Sequence, residues 1–269
     1  MEENKKVLVT GIIFILVVAL GFAVYFFVIQ KKPQPPAEKV TQEPSLPPVQ
    51  KEDKKLPKKE EPVETLDVPL SESDELVRQK AQKISSHTLF ERWLGTSRLV
   101  RKFTAAVDNI AHGLSPREQI DFFKPEEGFQ VVEREGRVSI DPASYRRYDP
   151  VVEVFVSLDT QQAVRLYRRL KPTIQEAYAE LGYPNTDFNE TLSTAIKELL
   201  EVPIIEGNVL LEKKVMSYRL ADPDLENMSE AQKHLFRMGP QNIKRIQDKL
   251  REIALALGIK DNQLPSESS

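Results

Sequence analysis

The chain has no cysteine, which excludes disulfides, thiolate nucleophiles and cysteine metal sites. It has no excess of either charge: 38 Lys and Arg stand against 41 Asp and Glu, a formal net charge of −3. A general nucleic-acid binder needs a basic surface to displace phosphate counterions, so no nucleic-acid partner is expected. Only three histidines occur, at 87, 112 and 234, too far apart to show ligand spacing, and no metal site or cofactor is expected. There is no P-loop, GxGxxG, GxSxG or HExxH. Trp93 is the single tryptophan and is expected in the core. Nothing in the chain names a reaction.

What is present is a long hydrophobic run. Val7 to Ile29 is 23 residues without a charge, enough at about 1.5 Å per residue to cross a hydrocarbon core of about 30 Å. A cleavable signal would be shorter and end in a small-x-small site; Ala19, Gly21 and Ala23 form a poor one, and the run continues through Tyr25, Phe26 and Phe27. The expectation is an uncleaved single-pass anchor in the lipid bilayer over residues 7–29, behind a short tail, 1–6. Lys5 and Lys6 before it and Lys31, Lys32 and Lys39 after it leave the positive-inside rule undecided. By analogy with the usual layout of bacterial envelope proteins, the protein is expected in the inner membrane with its soluble domain outside the cytoplasm.

Residues 30–70 carry nine prolines, eight lysines and eight acidic residues. A segment this poor in large apolar side chains cannot bury enough surface to fold. It reads as a flexible linker, roughly 35 Å end to end as a coil and about 130 Å if fully extended.

The rest reads as mainly α: a helical bundle domain over 71–258 carrying small β-hairpins, then a disordered tail, 259–269. Ser115-Pro116, Asp141-Pro142, Asp149-Pro150 and Asp222-Pro223 each place a capping residue before a proline that suits the first helical turn, and Ser229 with Gln232 reads as a capping box. Leu99, Phe103, Val107 and Ile110 share a helix face. So do Ala163, Leu166, Leu170, Ile174, Ala177 and Leu181, with a bend at Pro172, and Ile243, Ile246, Leu250, Ile253 and Leu257 before Gly258. Phe129–Ile140 alternates around Glu135-Gly136 as a hairpin, and Asn208–Leu220 suits a second pair of short strands. Val151–Val156 has a strand-like composition, but Asp149-Pro150 favours a helix.

The candidate binding residues are charged or aromatic side chains on helices. Arg101 and Asp108 lie opposite the apolar stripe of their helix. Tyr145, Arg146, Arg147 and Tyr148 put rings beside guanidinium groups, which suits an anionic or sugar-containing ligand; Tyr167, Arg168 and Arg169 repeat the pattern. A solvated helix face with tyrosines packed inward explains the same residues. Arg237, ahead of Met238-Gly239-Pro240, marks a helix end and is a further candidate. Asp222, Asp224 and Glu226 suit acid–base work, but also a capped helix N-terminus.

The segments Val107-Asp108-Asn109, Tyr145 to Pro150 (YRRYDP), Tyr167 to Pro172 (YRRLKP) and Gln232 to Asn242 (QKHLFRMGPQN) together resemble the bacterial family known as domain of unknown function 3014, over about residues 71–257. The resemblance implies a membrane-anchored, envelope-associated protein with a helical domain, and carries no activity or catalytic residue with it. The leading expectation is a non-enzymatic envelope protein binding a protein or cell-wall partner. The alternative is an enzyme acting on an envelope polymer through a cleft lined by Asp108, Asp149 and arginines.

Overall fold

A computed structural model describes residues 64–66, 68–120, 124–125 and 127–266, all within the unit Lys59–Ser269. The predicted tail, membrane span and most of the linker lie outside these residues. Among the described residues, no helix is long and apolar enough to cross a membrane.

The domain is mainly helical with one small antiparallel sheet. Helices α1 (Ser73–Ala81), α2 (Thr88–Leu94) and α3 (Leu99–Ala111) precede strands β1 (Val131–Arg134) and β2 (Arg137–Ile140). Helices α4 (Pro142–Arg146), α5 (Asp149–Val156), α6 (Thr160–Arg169), α7 (Lys171–Glu180) and α8 (Phe188–Leu200) follow. Strands β3 (Leu210–Lys213) and β4 (Tyr218–Leu220) then lead to α9 (Pro223–Glu226), α10 (Glu230–Phe236) and α11 (Pro240–Leu257).

Local chemistry sets most boundaries. Asp141 accepts from Ala143 N–H, Asp222 from Asp224 N–H, and Ser229 with Gln232 forms a full capping box, each satisfying backbone donors that a helix N-terminus leaves open. Helix α11 ends on Gly258 at φ 96°, the left-handed cap that glycine reaches without strain. The β1–β2 turn has positive φ at both Glu135 and Gly136, the backbone twist that a two-residue hairpin needs.

Several expectations need correction. The two hairpins are not separate: Val138 pairs with Leu211 and Ser139 with Leu210, giving one sheet in the order β1-β2-β3-β4. Ser115-Pro116 opens a single turn, in which Gln119 and Ile120 N–H donate to Pro116 O, because the Ser115 hydroxyl meets His234 Nδ1 at 3.2 Å and caps no helix among the described residues. Asp149 is the first residue of α5, not its cap; Asn242 Nδ2 donates to its carboxylate at 2.7 Å. Pro172 does more than bend a helix. Its missing N–H and ring crowding divide the segment into α6 and α7 at Leu170. Phe103 and Leu181, assigned to apolar stripes, are exposed.

Both ends of the domain also reach further than composition suggests. Leu66 N–H donates to Arg169 O, Thr173 Oγ1 to Val68 O, and Leu70 is buried. The last part of the presumed linker is therefore a strap on α6 and α7. At the other end Leu264 is buried in the main core and Arg251 donates to Pro265 O, so residues 259–266 pack on the domain; residues 267–269 lie outside the described residues.

The main core gathers Val152 of α5, Ile196 and Leu200 of α8, the inner sheet residues Ile140, Leu211 and Leu220, Leu235 and Phe236 of α10, and the α11 stripe Ile243, Ile246, Leu250 and Ala254. Burial of Ile243, Ile246 and Leu250 contributes roughly 1.5–3 kcal/mol each relative to exposure. A second cluster joins α1, α3, α7 and α8 around Val107, Ile174, Tyr178 and Phe188. Trp93 is only half-buried, beside a third cluster of Ala81, Ile84, Phe90 and Val154.

A basic groove between the sheet and the helix ends

The geometry begins with Ser144, fully buried in α4. Its hydroxyl donates to Gln130 O and accepts from Gln130 N–H, at 2.8 and 2.7 Å, and so fastens the chain entering β1 to α4. Arg147, just past the end of α4, continues the clasp. Its Nε donates to Ser144 O at 2.8 Å and Nη1 to Glu127 O at 3.1 Å, while the guanidinium lies 5.6 Å from the Phe129 ring centre and 4.9 Å from that of Tyr148. These contacts make one wall of a groove of about 920 Å³. Ile140, Leu211, Leu220 and Tyr218 of strands β2 to β4 also line it, as do His234 and Arg237.

The groove is basic. Six Lys or Arg side chains line it, Arg117, Lys124, Arg147, Lys213, Lys214 and Arg237, and Glu127 is its one acid among the described residues. A recess sharing Lys124, Pro125, Glu127 and Arg147 with the groove adds Arg92, Arg146 and Trp93. Among the described residues, no hydrogen bond or ion pair engages the guanidinium groups of Arg92, Arg117, Arg146 or Arg237. Burial pushes the His234 imidazole down to about 4, and Arg117 and Arg237 push in the same direction. It is a neutral group set among cations.

Of the residues singled out in the sequence, Arg146, Arg147, Tyr148 and Arg237 come together here. Tyr145 does not. Its ring packs on Gly239, where an added Cβ would fall 2.4 Å from Tyr145 Cγ, and burial pushes its hydroxyl up to about 12. Asn242 Nδ2 reaches the Tyr145 and Met238 carbonyls as well as Asp149. The YRRYDP and RMGPQN segments, some hundred residues apart in sequence, are thus two sides of one packing joint.

The remaining candidates lie elsewhere. Arg101 makes a two-point contact with Glu180, Nε and Nη2 at 2.6 and 2.8 Å, joining α3 to α7 and holding that carboxyl below its usual range. Arg168 donates to Ala256 O in the last turn of α11, where carbonyls lack helical partners. Asp108 projects from α3 with Oδ1 buried and without a hydrogen bond among the described residues. His112 Nδ1 is 3.3 Å from it but points its better contact, 2.9 Å, at the Asp108 carbonyl. Burial therefore raises the Asp108 carboxyl, with His112 opposing. Neither Asp108 nor Asp149 lines the groove or its recess. Among the described residues no group of His, Asp and Glu is placed to hold a metal ion.

The residues missed from sequence are Arg92, Arg117, Lys124, Lys213, Lys214 and His234. Arg92 and His234 lie within α2 and α10, Lys213 ends β3 with Lys214 next to it, and Arg117 and Lys124 lie between α3 and β1; apart from the Lys213-Lys214 pair, no local spacing connects them.

A mainly helical domain with a four-stranded sheet and a basic groove is the class these features define. The chain belongs to the family described as "Protein of unknown function (DUF3014)", whose model matches residues 99–254. No curated protein and no solved structure matches the chain.

Proposed function

We propose that this is a non-enzymatic, membrane-tethered bacterial envelope protein whose helical domain captures an acidic protein or cell-wall partner in the basic groove. The observation that carries the reading is a cluster of guanidinium groups, those of Arg92, Arg117, Arg146 and Arg237, that make no hydrogen bond or ion pair among the described residues and line one groove and its adjoining recess, in a chain whose net charge is negative. Such guanidinium groups, around a groove also lined by Tyr148, Tyr218 and Phe129, suit carboxylates or phosphates, which they grip in two-point hydrogen bonds. The uncharged run 7–29 and the proline-rich segment behind it support the tether. The competing enzyme reading needs Asp108 and Asp149 in one cleft, and the groove contains neither.

The test is fluorescence anisotropy of a labelled poly-glutamate peptide with the full chain. Binding is expected to weaken steeply as ionic strength rises from about 0.02 to about 0.3 M, as the Debye length shrinks. Arg146→Ala and Arg237→Ala should each lower affinity about tenfold with no change in melting temperature, since each removes a charge-assisted hydrogen bond to the partner. Arg147→Ala should instead lower the melting temperature, because its guanidinium holds the 127–129 segment. Unchanged affinity in both Arg146 and Arg237 variants would remove the groove as the binding surface. An oligonucleotide of equal charge binding as tightly would reassign the partner.

A further inference from the structure

We infer that the tip of the β3–β4 hairpin is a membrane-docking element that seats Val215 and Met216 in the headgroup–acyl boundary of an anionic bilayer. Strands β3 and β4 pair through Leu211–Leu220, Glu212–Arg219 and Lys213–Tyr218, and Lys214 N–H donates to Ser217 O at 2.8 Å. That closure leaves Val215 and Met216 as the two central turn residues, 99% and 93% exposed. Turn centres favour Gly, Asn, Asp or Pro for backbone reasons, and none is present here. Two large apolar side chains held fully in solvent contribute nothing to the core, so folding does not account for them.

Their surroundings select the occupant. Lys213 and Lys214 flank the tip, and the one nearby acid, Glu212, is answered by Arg219 at 2.6 Å and Lys214 at 3.5 Å. The tip is therefore apolar at its end and cationic at its base. Tyr218 and Phe129, in ring contact at 6.2 Å and both partly exposed, stand behind it at the level where amphipathic rings meet lipid headgroups. Two side chains fall far short of the roughly 800 Å² that a stable protein partner covers. A bilayer needs no such area: each buried apolar side chain favours partition by on the order of tenfold or more, and each lysine adds roughly fivefold at an anionic surface. The hairpin also lines the groove, but its docking makes no use of Arg146 or Arg237.

Because the chain has no cysteine, Met216→Cys can carry a single environment-sensitive fluorophore, with Asn185→Cys in the α7–α8 loop as reference. The full chain is placed in lipid nanodiscs of phosphatidylcholine alone or mixed with phosphatidylglycerol. The expected result is a blue shift and quenching by a lipid-borne quencher for the probe at 216, only with the anionic lipid, and none for the probe at 185. Lys213→Glu with Lys214→Glu should reduce the inserted fraction tenfold or more. Arg146→Ala, which tests the groove, should leave it unchanged. A probe at 216 as water-exposed as that at 185 in anionic discs would overturn the inference. So would a shift independent of lipid charge that grows with the number of chains per disc, which would assign the tip to a second copy.

Discussion

Arg147 donates to the carbonyls of Ser144 and Glu127 and covers two rings, whereas Arg146, one residue earlier, is exposed and has no such partner. Their shared composition is what made the YRRY segment look like one binding surface. A guanidinium that satisfies backbone carbonyls is committed to structure; an unpaired one remains available. His234 presents the same contrast in a titratable group. Its folded value of about 4 lies below the unfolded value of about 6.5, so between the two the unfolded chain binds a proton that the folded chain does not. The stability this neutral imidazole supports is complete above about pH 6.5. It is lost as pH falls towards 4, by roughly 3 kcal/mol in all. Urea denaturation at pH 7 and pH 4.5 should show this loss in the parent protein and much less of it in His234→Gln; equal losses in both would place the titrating group elsewhere.

At the scale of elements, the α4 and α10–α11 joint depends on a residue with no side chain. Gly239 has φ 84° and Tyr145 carbons fill the space where a Cβ would go. Gly239→Ala is expected to cost about 3 kcal/mol or more, from overpacking and from a backbone conformation that alanine resists. Thermal melts should show the loss, and Tyr145→Ala should relieve part of it in the double variant, as contacting residues are not additive. The elements themselves were largely legible in the sequence because their signals are local. Capping at Asp141, Asp222 and Ser229, the Glu135-Gly136 turn and the α11 stripe depend on residues within one or two turns of each other. Ser115-Pro116 carried the same local signature and failed because a tertiary contact with His234 claims its hydroxyl. The groove was half legible. Arg146, Arg147, Tyr148 and Arg237 stood out as aromatic and basic clusters, but Arg92, Arg117, Lys124 and the Lys213-Lys214 pair sit in unrelated segments that only the fold brings together.

For the whole molecule, the slight negative charge conceals an uneven distribution among the described residues: the side chains of Arg117, Lys213 and Arg237 line the groove without a hydrogen bond or ion pair, while acids such as Glu180, Glu212 and Glu252 are held in ion pairs. On the proposed topology the groove faces the envelope side. Ser45→Cys, the only thiol in the chain, should react in intact cells with a maleimide that cannot cross the inner membrane. Protection in intact cells with labelling after lysis would put the domain in the cytoplasm and leave the envelope partner without a basis.

The strap at residues 64–66 and 68–70 has a mechanical consequence. A pull on the chain from the N-terminal side of Glu64 acts first on Leu66, Val68 and Leu70, which are held to α6 and α7 by the Leu66–Arg169 and Thr173–Val68 hydrogen bonds and one buried leucine. These contacts can peel off one at a time, while the helices beneath would have to yield together. The strap would release roughly 20 Å of chain at about 3.3 Å per residue before tension reached the core, a fuse that gives way while the groove keeps its shape.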